Sequence, residues 1–243
     1  TNQQVGDIVT TYKTDYATQS ELIVKLEIAA ATQYTSIATT AESAAETEIS
    51  AATTNQQVGD IVTTYKAEYG TQTELIAKLE SAATSKYVDI ADPHAADAKN
   101  SIYSETDPIK IEVVVTTFKA DYPNAGDDST NSVKGAATDR NSALTAFDDA
   151  KTSIATAMNP DAIDEVKTGF EEDHSNDART GLDLTDGITA RTDAINAFET
   201  AKTNIAAALT NEAVLGYVTG FENGPDKDNI AGLDLTTFAT TQY

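Results

Sequence analysis

The chain has 243 residues, a formal net charge of -23 and no cysteine. The negative charge excludes nucleic acid as a partner and a basic membrane-surface helix, because both kinds of binding require a positively charged face. Without cysteine the chain has neither disulfides nor thiolate metal sites, and no run of apolar residues reaches the roughly 18 that would predict a membrane span.

One segment recurs along the chain. It reads VGDIVTTYKTDY at its first occurrence and VGDIVTTYKAEY at its second, and its aromatic anchor returns every 51 to 53 residues. The five copies span Val5–Tyr16, Val58–Tyr69, Ile111–Tyr122, Ile163–His174 and Val214–Pro225. Their anchors are Tyr12, Tyr65, Phe118, Phe170 and Phe221. A period of about 52 residues indicates stacked supersecondary units, which we call repeats 1 to 5.

Each repeat is predicted to begin with a helix, helix A, because a residue type that caps helix N-termini precedes every copy. The five candidate caps are Thr1, Thr54, Asp107, Asn159 and Thr210. Pro108 and Pro160 then occupy the first helical position, where proline is favoured. Thr54 and Gln57 have the spacing of a capping box. Five starts that obey one rule predict five helices.

A second, longer helix, helix B, is predicted to follow helix A. In repeat 1 apolar residues recur every three or four positions over about 30 residues, which is the pattern of an amphipathic helix. This stripe contains Leu22, Ile23, Leu26, Ala30, Tyr34, Ile37, Ala41, Ala45 and Ile49. Thr18 with Glu21 in repeat 1, and Thr71 with Glu74 in repeat 2, predict capping boxes at its start. In repeat 2, Pro93 predicts a kink or a break.

Repeats 3 to 5 are more polar after helix A. Residues 123–132 and 175–187 are predicted to be Asp-rich loops, so that helix B starts late, near Thr138 or Thr189. Repeat 5 has helix A and a loop but no helix B. The chain therefore divides into two long-helix repeats (1–106), two loop-bearing repeats (107–209) and an incomplete fifth repeat (210–243). The predicted fold is all-α, a tandem array of two-helix units that forms an elongated helical bundle or an α-solenoid-like stack.

Carboxylates in these loops are the candidate ligands for a metal ion. Ca²⁺ prefers six to eight oxygen ligands, and Asp173, Asp177, Asp226 and Asp228 are the residues that would supply them. The competing interpretation is that Asp, Asn, Gly and Pro simply form turns. No other cofactor is predicted. The two histidines, His94 and His174, fall at non-equivalent repeat positions without a catalytic motif, so the chain is predicted not to be an enzyme.

Two functions compete. The first is a structural protein that polymerises end to end into an extracellular or cell-surface fibre, sheath or adhesive layer. It rests on the repeats, the incomplete repeat 5, the absence of cysteine, and a first residue that is threonine rather than methionine. We expect the joint to use Val5, Val9 and Tyr12 at one end and Val214, Val218 and Phe221 at the other. Divalent cations are possible further partners. The alternative is a helical binding module or carrier for a small apolar ligand.

Overall fold

The computed structural model describes residues 1–241, and within that range the chain is helical and contains no strand. The predicted all-α class is confirmed. The helices are α1 (Asn2–Asp15), α2 (Ser20–Ala51), α3 (Asn55–Tyr69), α4 (Thr73–Ser104), α5 (Pro108–Asp121), α6 (Gly126–Thr156), α7 (Pro160–Asp173), α8 (Thr185–Ala207), α9 (Asn211–Glu222) and α10 (Leu235–Thr240), with a short 3-10 helix at Lys227–Asn229.

The odd-numbered helices α1 to α9 are helix A of the five repeats, and all five predicted N-caps are confirmed. In each case the cap side chain accepts a hydrogen bond from a backbone N–H of the first turn, which satisfies one of the unpaired donors there. The acceptors are Thr1 Oγ1 at 3.4 Å, Thr54 Oγ1 at 3.3 Å, Asp107 Oδ1 at 2.9 Å, Asn159 Oδ1 at 2.9 Å and Thr210 Oγ1 at 3.2 Å.

The capping boxes predicted for helix B are wrong. Helix α2 begins at Ser20 with Gln19 at the N-cap and no side-chain capping bond, and α4 begins at Thr73, two residues beyond Thr71. The backbone closes the turn after helix A instead, through Gln19 N–H to the Tyr16 carbonyl at 2.9 Å and an equivalent bond in repeat 2 at 2.8 Å. This tight turn shifts the helix start past the threonine.

Of the kink or break predicted at Pro93, the break is wrong, because α4 runs without interruption from Thr73 to Ser104. Proline removes one backbone donor, the bond that would otherwise reach the residue 89 carbonyl. Buried residues on both sides of it, Ala91 and Ala95 next to it and Ile102 further along, keep the helix packed. Burial on this face outweighs the lost hydrogen bond.

Helix B of repeat 3 starts far earlier than predicted, at Gly126 rather than near Thr138. Asp127 and Asp128, which we had assigned to a loop, lie in its first turn. Acidic side chains are favourable there because they face the positive end of the helix dipole. In repeat 4 the loop is real, and α8 begins at Thr185, slightly before the predicted Thr189.

Threonines inside the helices satisfy their hydroxyl groups locally. Thr10 Oγ1 donates to the Gly6 carbonyl at 2.9 Å, and Thr63 Oγ1 donates to the Gly59 carbonyl at 2.8 Å, each four residues earlier. This bonding is a known way for threonine to occupy helical positions despite its low propensity. It explains how the VTTY segment is helical although Val and Thr together also favour strands.

The chain divides into two compact bodies. The N-terminal body comprises Thr1–Ala98 and Val115–Val133, and the C-terminal body comprises Lys99–Val114 and Lys134–Tyr243. One core of the N-terminal body contains Ala45, Ile49, Ala52, Val58, Leu79 and Ala83. The core of the C-terminal body includes Ile154, Ile163, Phe170, Ile195, Ile205, Phe221 and Leu235.

Candidate assembly surface

Repeat 1 carries an exposed apolar surface on α1 and the start of α2, which we call the N-terminal surface. Its large exposed side chains are Ile8, Tyr12, Tyr16, Leu22, Val24 and Ile28. Helix α1 contains no buried residue. Of the three residues predicted to form this end of the joint, Tyr12 is exposed, and Val5 and Val9 are half-buried.

Repeat 2 has nearly the same sequence, yet the counterparts of the first four of these side chains are less exposed. Leu75 is buried and Ile61, Tyr65 and Tyr69 are half-buried, whereas Ala77 and Ser81, which stand at the positions of Val24 and Ile28, are exposed. Leu22 is 41% exposed, whereas Leu75, which stands 53 positions later, is 3% exposed. Val58, the counterpart of Val5, belongs to the same buried core as Ala45 and Ile49 of helix α2. The face is buried in repeat 2 because helix B of the preceding repeat packs on it. Within residues 1–241, no helix does so for repeat 1.

The helix pair itself is built alike in both repeats. The Tyr34 hydroxyl lies 3.3 Å from the point where a Cβ on Gly6 would stand, and the Tyr87 hydroxyl lies 3.6 Å from the same point on Gly59. An ion pair also recurs, Lys13 with Glu27 at 2.5 Å and its counterpart in repeat 2 at 2.5 Å. Helices A and B therefore pack against each other in the same way in repeats 1 and 2. Within residues 1–241, no further helix packs on the outer face of repeat 1.

The expectation that Val214 and Phe221 are exposed at the other end is wrong. They are 7% and 8% exposed and belong to the core of the C-terminal body, while Val218 is half-buried. The cover comes from the segment after α9. Helix α10 packs on α8 and α9 and contributes the buried Leu235. This short helix partly replaces the missing helix B.

Repeat 5 nevertheless keeps an apolar surface, which we call the C-terminal surface. Leu215 is 66% exposed, and Tyr217 on the same helix is also exposed. Beside them α9 and α10 form a shallow groove of about 290 Å³, whose apolar lining consists of Val214, Leu215, Val218 and Ala239. The accessible apolar residues at this end are thus Leu215 and the groove, rather than the predicted valine and phenylalanine stripe.

The candidate Ca²⁺ ligands do not form a site. Asp173 ends α7, Asp177 lies in the following loop, and Asp226 and Asp228 lie at and within the 3-10 helix. Among residues 1–241, no three His, Asp or Glu side chains come together as a metal-binding group. The described side chains therefore give no support to a calcium site.

Two other aspartates in the polar segments accept hydrogen bonds from the backbone at helix starts. Asp183 accepts from the Thr185 N–H at 2.8 Å, and Asp234 accepts from the Thr236 N–H at 2.7 Å. Hydrogen bonds from Thr185 lower the pKa of Asp183, and those from Thr236 and Thr237 lower the pKa of Asp234. Both belong to the repeated sequence GLDLT, so the turn-forming interpretation explains this repeat.

The histidines contribute to aromatic contacts in separate bodies. The His94 ring stacks on Tyr122 with ring centroids 4.9 Å apart, and the His174 ring lies 5.8 Å from that of Phe170. Both are therefore accounted for by packing against a helix A aromatic residue of their own body.

Two arginines that the sequence analysis did not single out are the largest fully buried side chains. Arg140 on α6 is 0% exposed and Arg191 on α8 is 1% exposed. Burial lowers the pKa of each guanidinium group, because desolvation disfavours the charged form. A signal was present in the sequence, since the two arginines lie 51 residues apart in matching segments.

No helix within residues 1–241 has the combination of length and hydrophobicity needed to cross a membrane. No protein-family model, curated protein or solved structure matches this chain, so any functional argument rests on the surfaces described above.

Proposed function

We propose that this chain is a non-catalytic structural protein that joins end to end into an extracellular or cell-surface fibre, sheath or adhesive layer. The observation that carries the proposal is the contrast between repeats 1 and 2. Leu75 and Val58 are buried where a preceding helix packs on them, whereas their counterparts Leu22 and Val5 are exposed and half-buried, respectively. A face that is built for packing and left open is a typical interaction site.

The proposed joint connects the N-terminal surface of one copy to the C-terminal surface of the next. Ile8, Leu22 and Ile28 lie on the first surface, and Leu215 and the groove between α9 and α10 lie on the second. Because the two surfaces differ, their contact is heterologous and propagates into a filament unless the rotation closes a ring. The net charge of -23 opposes association at low salt, so we expect added salt to strengthen it.

Size-exclusion chromatography with light scattering, over a range of protein and NaCl concentrations, tests the proposal. The wild-type chain is expected to grow in mass with both. Replacing Leu22 and Ile28 together by Gln should stop growth at low mass. Ile109→Gln is the matched control, because Ile109 is also exposed on a helix but lies on neither surface. A wild-type chain that stays monomeric at all concentrations contradicts the proposal.

Mixing two blocked variants tests the direction of the joint. A chain with Leu22→Gln and Ile28→Gln retains only its C-terminal surface, and a chain with Leu215→Gln and Val218→Gln retains only its N-terminal surface. Each alone should remain monomeric, and an equimolar mixture should form dimers and grow no further. If the chain with Leu215→Gln and Val218→Gln dimerises alone, the N-terminal surface pairs with itself and the end-to-end model is wrong.

The carrier alternative is favoured by one feature, the groove between α9 and α10. Its apolar lining and volume of about 290 Å³ are close to the lower limit for small-ligand sites. An environment-sensitive apolar dye should then bind with one-to-one stoichiometry and lose affinity in Val218→Gln. Dye binding that persists in a chain unable to assemble would favour the carrier, and dye binding that is lost as chains assemble would favour the joint.

A further inference from the structure

Arg140 forms hydrogen bonds to both neighbouring repeats. It lies on α6 in repeat 3, and its Nε donates to the Glu105 carbonyl at 2.8 Å, just beyond the end of helix B of repeat 2. Its Nη1 donates to the carbonyls of Ala178 at 2.7 Å and Thr180 at 2.8 Å, in the loop of repeat 4. One side chain thus connects three consecutive repeats.

Arg191 repeats this arrangement one period later. From α8 in repeat 4, its Nε donates to the Ala157 carbonyl at 2.7 Å, just beyond the end of helix B of repeat 3. Its Nη1 donates to the Asn229 carbonyl, and its Nη2 donates to the Ala231 carbonyl at 2.8 Å, in the loop of repeat 5. The two sites have equivalent acceptors, and they differ only in that Arg191 uses Nη2 for its second loop carbonyl where Arg140 uses Nη1.

The loops are shaped to present these carbonyls. Gly181 and Gly232 have φ of 72° and 77°, a left-handed conformation that glycine adopts without strain. Each glycine follows the last acceptor carbonyl by one residue and lies three residues before a buried leucine, Leu184 in repeat 4 and Leu235 in repeat 5. The glycine turns the chain so that the carbonyls face the arginine while the leucine enters the core.

The N-terminal body is connected differently. Its helix B residue Lys86 donates to the Ser50 carbonyl at 2.8 Å, which joins repeat 2 to repeat 1 only. Val88, an apolar residue, stands 52 positions before Arg140. Stability in repeat arrays is usually a sum of single-repeat and nearest-neighbour terms. Arg140 and Arg191 add a contact that spans three repeats.

We infer that Arg140 and Arg191, with the carbonyls around them, form two intramolecular guanidinium-binding sites that couple three consecutive repeats into one cooperative folding unit. A planar guanidinium group offers several donors in a fixed geometry, whereas a lysine ammonium group does not match three separate carbonyls in the same way. Removing the arginine leaves buried carbonyls unpaired, which is strongly unfavourable. The C-terminal body therefore opens as one unit.

Native-state hydrogen exchange of the full chain tests the coupling. In Arg191→Met, amides in the end of α6, in α8 and in residues 223–234 should lose protection together, and Tm of the C-terminal body should fall by on the order of 10 °C. Arg179→Met is the control, because Arg179 bonds only the His174 carbonyl and Asn176 Oδ1 of its own loop. If Arg191→Met lowers the protection of residues 227–231 alone, Arg191 stabilises only the loop of repeat 5 and does not couple the repeats.

Chemical rescue tests the guanidinium site itself. Arg191→Ala should leave a cavity that methylguanidinium fills at millimolar concentration, which restores protection in residues 223–234. Methylammonium at the same concentration controls for charge and ionic strength. Arg191→Lys, which keeps the charge but not the planar group, should regain only part of the lost protection. Equal rescue by both ions, or full protection in Arg191→Lys, would show that the site recognises positive charge and not a guanidinium group.

Discussion

Leu22 and Leu75 occupy the same position in consecutive repeats, and the first is 41% exposed whereas the second is 3% exposed. The local helices are built alike, so the difference measures what a neighbouring helix contributes. Replacing Leu75 by Ala should lower the free energy of unfolding of the N-terminal body by about 2–5 kcal/mol, through lost burial and a cavity. Urea denaturation of dilute protein measures this effect.

The matched substitution, Leu22→Ala, should change the stability of dilute protein by less than about 1 kcal/mol, because Leu22 already contacts water. It should weaken association instead. A large loss of stability in the monomer would mean that the N-terminal surface is already covered in solution.

The Tyr65 side chain contributes less to the stability of the chain than its anchor position in the repeat suggests. Tyr65, the anchor aromatic residue of repeat 2, is half-buried, and its hydroxyl donates to Glu48 Oε1 at 3.2 Å. Tyr65→Phe should therefore cost about 0.5–1.5 kcal/mol, the net value of one such hydrogen bond. Tyr12→Phe is the control, since Tyr12 is the exposed counterpart in repeat 1. Equal effects of the two substitutions would show that the bond to Glu48 contributes nothing.

Glycine at positions 6 and 59 offers a second matched pair. A Cβ at Gly59 would meet the Tyr87 hydroxyl at an ordinary 3.6 Å, whereas one at Gly6 would meet the Tyr34 hydroxyl at a tighter 3.3 Å. Gly59→Ala should stabilise the chain by about 0.5–1 kcal/mol, because alanine loses less conformational freedom in a helix. Gly6→Ala should gain less, since Tyr34 must shift. Thermal unfolding of both variants makes the comparison, and a larger gain for Gly6→Ala would contradict it.

Acid should weaken the hydrogen bonds that Asp183 and Asp234 accept at the starts of α8 and α10. Hydrogen bonds from threonine lower the pKa of both carboxyl groups below the ordinary 3.8. Because the pKa of each carboxyl group is lower in the folded state than in the unfolded state, its stabilising contribution to the folded chain is complete above pH 3.8. This contribution is lost as the pH falls through the lower, folded-state pKa. Denaturant titrations at a series of acidic pH values should show a shallower pH dependence in Asp183→Asn with Asp234→Asn, because asparagine caps without titrating. An unchanged slope would mean that other carboxylates cause the acid sensitivity.

The helix-capping rule, which depends only on nearby residues, was sufficient to predict where each helix A begins. Thr54, Asp107 and Asn159 act within four residues of themselves, so the cap pattern alone predicts them. The starts of helix B depend on backbone turns and on the helix dipole. The capping rule therefore fails for Thr18, and the turn-forming composition around Asp127 wrongly predicts a loop.

Burial depended on tertiary packing and was less predictable. Val214 and Val5 look alike in sequence, but Val214 is buried on a helix against which α10 packs, whereas Val5 is only half-buried. The arginine sites were readable in principle, because Arg140 and Arg191 recur with the period. Their acceptors are backbone carbonyls, which every residue has, so the residue types of the loops do not reveal them.

Because the acceptors of the two arginines are backbone carbonyls, the loops that carry them can tolerate substitutions. Two loops with few identical residues each present two carbonyls to an arginine. They are HSNDARTGL in repeat 4 and GPDKDNIAGL in repeat 5. Recognition through the main chain leaves most side chains of these loops free of that task. Residues 225–228 can therefore diverge, or receive grafted peptides, as long as Gly232 and Arg191 are kept. In repeat 4 the side chains of Ser175 and Asn176 also support the loop, because they accept hydrogen bonds from the Ala178 N–H and from Arg179.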